Sequence, residues 1–114
     1  MSVRTATGEP VSEKLLHNYF KTLVDHFFKI LPMREEEEKS LSTYIRSLQI
    51  ELIGCKEFIP QLQDDADFLR LLGLTQYLMD NPSCSVREVR REVFHAISIC
   101  NKLKAVYMRG GVQR

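Results

Sequence analysis

Residues 85–107, SVREVRREVFHAISICNKLKAVY, decide the fold. Ser85 and Glu88 stand three apart at the head of the stretch. That is the spacing of a capping box, in which the serine oxygen and the glutamate carboxylate each take an unpaired backbone amide. Behind them Val86, Val89, Val93, Ala96, Ile97, Cys100, Leu103 and Tyr107 recur at intervals that place them along one side of a helix. Gly110-Gly111 marks its end, so the pattern predicts a helix over 85–108. A helix with one apolar stripe is stable only against something else that is apolar.

Three more stretches upstream supply it. Over 65–80, Asp64, Asp65 and Asp67 at the opening suit the positive end of a helix dipole. Phe68, Leu71, Leu72, Leu78 and Met79 then face one way, and Leu69 and Leu74 widen that face, which predicts the most enclosed helix of the chain. Asp80-Asn81-Pro82 stops it. Over 40–55, Ser40 or Ser42 is a candidate cap for a face of Leu41, Tyr44, Ile45, Leu48, Leu52 and Cys55, weakened by Gly54 and closed off by Pro60. Over 12–31, Ser12 caps the cleanest amphipathic pattern in the chain: Leu16, Phe20, Leu23, Val24, Phe27 and Leu31. Pro32 disfavours helical geometry at Leu31 and is expected to end it. Glu35–Glu38 fit either the first turn of the second helix or a solvated loop.

Four amphipathic helices joined by short connections favour antiparallel neighbours. The expectation is an all-α, four-helix bundle-like single domain over 12–108, with flexible ends at 1–11 and 109–114. The alternative is an irregular four-helix domain with steeper, orthogonal crossings. At 114 residues the chain is one domain, long enough to hide roughly two-thirds of its unfolded surface without staples. Its 44% hydrophobic content excludes a disordered chain.

Most functional classes find no support in the residues. Cys55, Cys84 and Cys100 are odd in number and no two form a C-x-x-C pair, so neither a disulfide framework nor a zinc site is expected. Cys55 and Cys100 fall on core faces, whereas Cys84 falls in a turn as a candidate accessible thiol. His17, His26 and His95 are scattered, and there is no Gly-rich phosphate loop. No signal peptide and no apolar run of about 18 residues is present, so the expected location is the cytoplasm, with no membrane partner. The expectation is a protein that is not an enzyme and has neither cofactor nor metal.

What remains is surface. Residues 1–84 carry nine Lys and Arg against thirteen Asp and Glu, whereas 85–114 carry seven against two. This asymmetry fits either an anionic partner for the last helix or complementarity among the helices themselves. Some apolar residues also lie off their core stripes: Ile50 and Ile53 on the second helix, Tyr77 on the third, and Phe94 on the fourth beside Arg87, Arg90 and Arg91. An apolar residue that the core does not need is a candidate contact for another molecule. These seven residues are the expected partner-binding set. Their expected occupant is a protein, including a second copy of the chain as a homo-oligomer. The alternative is a nucleic acid, because the third and fourth helices with their short turn outline a helix-turn-helix.

The chain also resembles a group of small uncharacterised helical proteins encoded by phages and prophages of Firmicutes. The resemblance covers roughly 15–107. It rests on Tyr19-Phe20-Lys21-Thr22-Leu23-Val24, Phe28-Lys29-Ile30-Leu31-Pro32, Ser47-Leu48-Gln49, Gly54-Cys55, Asp80-Asn81-Pro82, Arg91-Glu92-Val93-Phe94 and Ile99-Cys100-Asn101-Lys102-Leu103. These are mostly core and turn residues, so the resemblance implies a shared fold and brings no catalytic residues. It implies a virion assembly or accessory factor, or an inhibitor of a host protein; Glu35–Glu38 would suit the latter by imitating nucleic-acid phosphates.

Overall fold

Ser12, Asp65 and Ser85 each start a helix with their own side chains. Leu15 N–H donates to Ser12 Oγ at 2.9 Å, opening α1 (Glu13–Phe28). The amides of Asp67 and Phe68 donate to Asp65 Oδ1 at 3.0 and 3.1 Å, opening α4 (Ala66–Asp80). Both bonds of the capping box form before α5 (Val86–Gly110): Glu88 N–H to Ser85 Oγ at 3.1 Å, and Ser85 N–H to Glu88 Oε1 at 3.4 Å. The remaining helices are α2 (Ile30–Glu35) and α3 (Leu41–Phe58), with a 3-10 turn at Pro60–Asp64. The computed structural model describes residues 3–5, 7–8 and 10–110.

The first helix does not end where the proline suggested. It breaks after Phe28 and resumes as α2, which runs through Pro32 to Glu35. Pro32 has no N–H to offer the carbonyl of Phe28, four residues earlier, so the ladder fails there. In α2 it is the third residue, where the amide needs no partner within the helix. The glutamate run is not the start of a helix. Glu35 closes α2, and Glu36–Glu38 lie in the turn that follows. Glu38 N–H donates to Met33 O at 2.9 Å and Glu37 N–H to Arg34 O at 3.1 Å, a Schellman motif with Glu37 in the left-handed region at φ 51°. Ser40 occupies the cap position of α3 without making a side-chain cap bond.

Cross-helix pairs fix the topology. Tyr44 Oη donates to His26 O at 2.8 Å, and Gln49 Nε2 to Gln76 Oε1 at 2.9 Å. Tyr77 Oη donates to Glu88 Oε2 at 2.9 Å and Tyr107 Oη to Asp65 Oδ2 at 2.6 Å, so α4 and α5 run antiparallel. Phe20 stacks on Tyr107 while Phe28 meets Phe94, so α1 and α5 are antiparallel too. The fold is an all-α up-down-up-down arrangement measuring 45 × 23 × 19 Å. α5 packs against α1, α2 and α4, while α3 packs chiefly on α4 and the 3-10 turn.

The core follows the expected stripes, with local differences. Leu16, Phe20, Leu23, Phe27, Ile45, Leu48, Leu52, Phe68, Leu71, Leu78, Val93, Cys100 and Leu103 are buried. α4 is less enclosed than its sequence suggested, because Leu69 faces solvent and Leu72 and Met79 are only half-buried. Val86 is exposed at the tip of α5, whereas Ile99, off the expected stripe, is buried because that helix has neighbours on more than one side. Before α1, a segment read as flexible forms a short hairpin: Val3–Arg4 pairs antiparallel with Pro10–Val11. α5 extends to Gly110, and the rest of the expected flexible end, 111–114, lies outside the described residues.

Candidate interaction surface

The outer face of α5 brings Arg87, Arg90, Arg91 and Phe94 together, and all four are exposed. Phe94 retains 48% of its accessible surface although it belongs to a helix packed on three others. Beside it lies Phe28, at 42%. The two rings meet edge to face, with centroids 5.9 Å apart and planes at 86°. This is a favourable aromatic geometry that fixes both rings while leaving much of each in water.

Phe28 is absent from the sequence-derived set, yet a signal for it existed. Phe27 and Phe28 are adjacent in a helix, where consecutive side chains diverge by about 100° and cannot share one narrow stripe. Phe27 is buried, so Phe28 is the residue turned outward. The break after Phe28 places it at the end of α1, opposite the first half of α5.

The arginines differ in what they have left to offer. Arg90 Nη2 reaches Glu35 Oε2 at 3.1 Å and ties α5 to α2. Arg91 pairs with Glu92 at 3.2 Å. Arg87 forms no ion pair among the described residues. Arg87 lies two turns before Phe94 on α5, and Lys29, which follows Phe28 in the chain, is exposed as well. Exposed pairs of this kind contribute about 0–1 kcal/mol and open readily for a competing carboxylate. The same pairing weakens the groove-reading geometry of a helix-turn-helix, since two of its three arginines at the head of α5 already hold carboxylates.

The other candidates do not join this surface. Ile50 and Ile53 are exposed, at 62% and 38%, but they lie on α3, which is not a principal neighbour of α5. Tyr77 is half-buried against the core, and its hydroxyl is held by Glu88. That bond raises the Tyr77 phenol, and together with the Ser85 amide it lowers the Glu88 carboxyl below its usual range. The tyrosine is therefore a brace between α4 and the cap of α5.

The cysteines are poorly suited to chemistry. Burial pushes the Cys100 thiol up to about 12, and burial also raises Cys55 and Cys84. Cys84 is half-buried rather than open, and its carbonyl accepts from Arg34. Among the described residues no group of three or more His, Cys, Asp or Glu could hold a metal ion, and no helix is long and apolar enough to cross a membrane. Comparison with family models, curated proteins and solved structures gives no match.

Proposed function

We propose that this chain is a non-enzymatic protein-interaction module whose docking surface is the Phe28–Phe94 pair with its border of Arg87, Arg91 and Lys29. The observation that carries the reading is the pair itself: two phenylalanines from different helices, in contact with each other and each more than 40% exposed. The core is complete without their outer faces. An aromatic centre with arginines around it is the composition of an interface hot spot. The complementary partner is a protein surface with an apolar pocket edged by carboxylates, which would draw Arg90 and Arg91 away from Glu35 and Glu92. In the phage or mobile-element setting that the sequence resemblance implies, this partner is a virion component or a host protein.

A second reading, self-association, has its own support in Ile50 and Ile53 on α3. With two exposed apolar patches on different helices, one copy could seat its α3 face on the α5 face of another, a head-to-tail contact. Sedimentation equilibrium separates the readings. A monomer whose partner capture fails with Phe94→Asp but persists with Ile50→Asp supports the first. A concentration-dependent mass abolished by either substitution supports the second. Nucleic-acid binding that falls steeply with salt would displace both.

A further inference from the structure

Along α3, Thr43, Arg46, Ile50, Ile53 and Glu57 follow one another at intervals of three, four, three and four residues, and all five are exposed. This alternation sets them in one line on the helix, the spacing of the inward positions of a coiled coil. The line runs on the side opposite Ile45, Leu48 and Leu52, which are buried in the core. It is about 21 Å long at the usual rise of a helix. The core therefore uses one face of α3, and a second face with its own apolar centre is left to solvent.

The charges on this face complement a copy of itself. Arg46 stands four residues before Ile50, and Glu57 stands four after Ile53. Consider a second α3 laid antiparallel, with a two-fold axis midway between positions 51 and 52. A single register then sets Ile50 on the partner's Ile53 and Arg46 on the partner's Glu57, and symmetry repeats both pairs. Neither Arg46 nor Glu57 has an ion pair among the described residues, so each is free to make this one. The parallel alternative would set like charges against each other at both ends, which disfavours it. Ser47 and Gly54 flank the line, both exposed. A Cβ at Gly54 would meet nothing within 4 Å. Nothing described within the chain calls for glycine there, although glycine weakens a helix; a second helix closing on this flank does.

We propose that two copies of this chain pair through α3, antiparallel about a two-fold axis, with the isoleucines at the centre and an Arg46–Glu57 ion pair at each end. The contact is closed and isologous, unlike the head-to-tail seating of α3 on α5. It uses neither phenylalanine and leaves the Phe28–Phe94 surface open on both copies, so it does not rest on that reading. With two isoleucines from each copy at its centre it belongs among weak interfaces, and association is expected on the order of 0.1 mM.

Sedimentation equilibrium of the full chain at low salt, up to about 1 mM, is the test. The mass of the native chain should rise with concentration and level off at two copies. Ile50→Asp should leave a monomer throughout, whereas Phe94→Asp should leave the association unchanged. Arg46→Glu opposes carboxylates at both ends and should weaken association by about tenfold. Combining it with Glu57→Arg restores the pairing in reverse and should recover the native association; both positions are exposed, so the exchange leaves the core intact. A native chain that stays monomeric overturns the proposal, and that is the result if the face serves a different protein. A mass that climbs past two copies, the mark of head-to-tail growth, overturns it as well. So does loss of association with Phe94→Asp, or a double variant no stronger than Arg46→Glu alone. None of these results decides the Phe28–Phe94 surface, which is read by partner capture.

Discussion

Truncating Phe94 to alanine should barely weaken the fold, whereas the same truncation at Phe20 should come close to destroying it. Phe20 is fully buried and packs against Phe68 and Tyr107, with ring centroids 6.4 and 5.8 Å away. Phe20→Ala loses the transfer free energy of the ring and leaves a cavity, about 3–5 kcal/mol together. Phe94 still exposes 48% of its surface. Full burial of a phenylalanine is worth about 1.5–3 kcal/mol, so about half of that is at stake, and solvent fills the space left behind. The edge-to-face contact with Phe28 adds about 0.5–1.5 kcal/mol, towards its lower end for rings this exposed. Phe94→Ala should therefore cost about 1–2 kcal/mol. Urea unfolding of the wild type and both variants measures this, with unchanged m values showing that the same surface is exposed in each. A loss of about 3 kcal/mol or more at Phe94, comparable with that at Phe20, would refute the reasoning, because Phe94 would then belong to the core.

Other expectations follow from single contacts. Asp65→Ala removes the cap of α4 and the acceptor of the nearly buried Tyr107 hydroxyl; it should cost about 2–4 kcal/mol by urea unfolding, with Tyr107→Phe costing less. Glu37→Gly relieves a left-handed residue in the Schellman turn and should raise stability by about 0.5–1 kcal/mol in the same assay. Because its carboxyl is lowered in the folded state, Glu88 contributes stability that is full above its unfolded value of about 4.3 and is lost as pH falls through the folded one. Melting temperature against pH should therefore fall less steeply below that value in Glu88→Gln, and an unchanged acid limb would contradict the assignment.

Local rules carried much of the fold. Ser12 and the Ser85–Glu88 box each needed only neighbours within one turn, so their sequence signatures and their structures agree, whereas Asp65, read only as one of three aspartates suited to the helix dipole, also caps α4 with its side chain. Pro32 shows the limit of such rules: a proline both stops one helix and is accepted near the start of the next, and the choice depends on what packs beyond it. Here Ile30 is buried and α2 contacts α3 and α5, so the chain continues as helix. The 3-10 turn at Pro60–Asp64 is held by Leu62, which is fully buried, a contact no local pattern announces. At the candidate surface, the outward direction of Phe94 was readable from its phase among Arg87, Arg90 and Arg91. Its meeting with Phe28 was not, because that depends on how α1 and α5 are aligned. The bond from Tyr77 to Glu88 was hidden for the same reason, as Glu88 also serves a cap that explains it without any tyrosine.

Photo-cross-linking from position 94 tests the interaction surface most directly. With benzoylphenylalanine in place of Phe94, irradiation in phage-infected bacterial cells, the setting proposed above, should give a discrete adduct, competed away by excess native chain and absent when the probe replaces Ile50. Adducts from position 50 alone, or none from position 94 while the protein remains folded, would contradict the account.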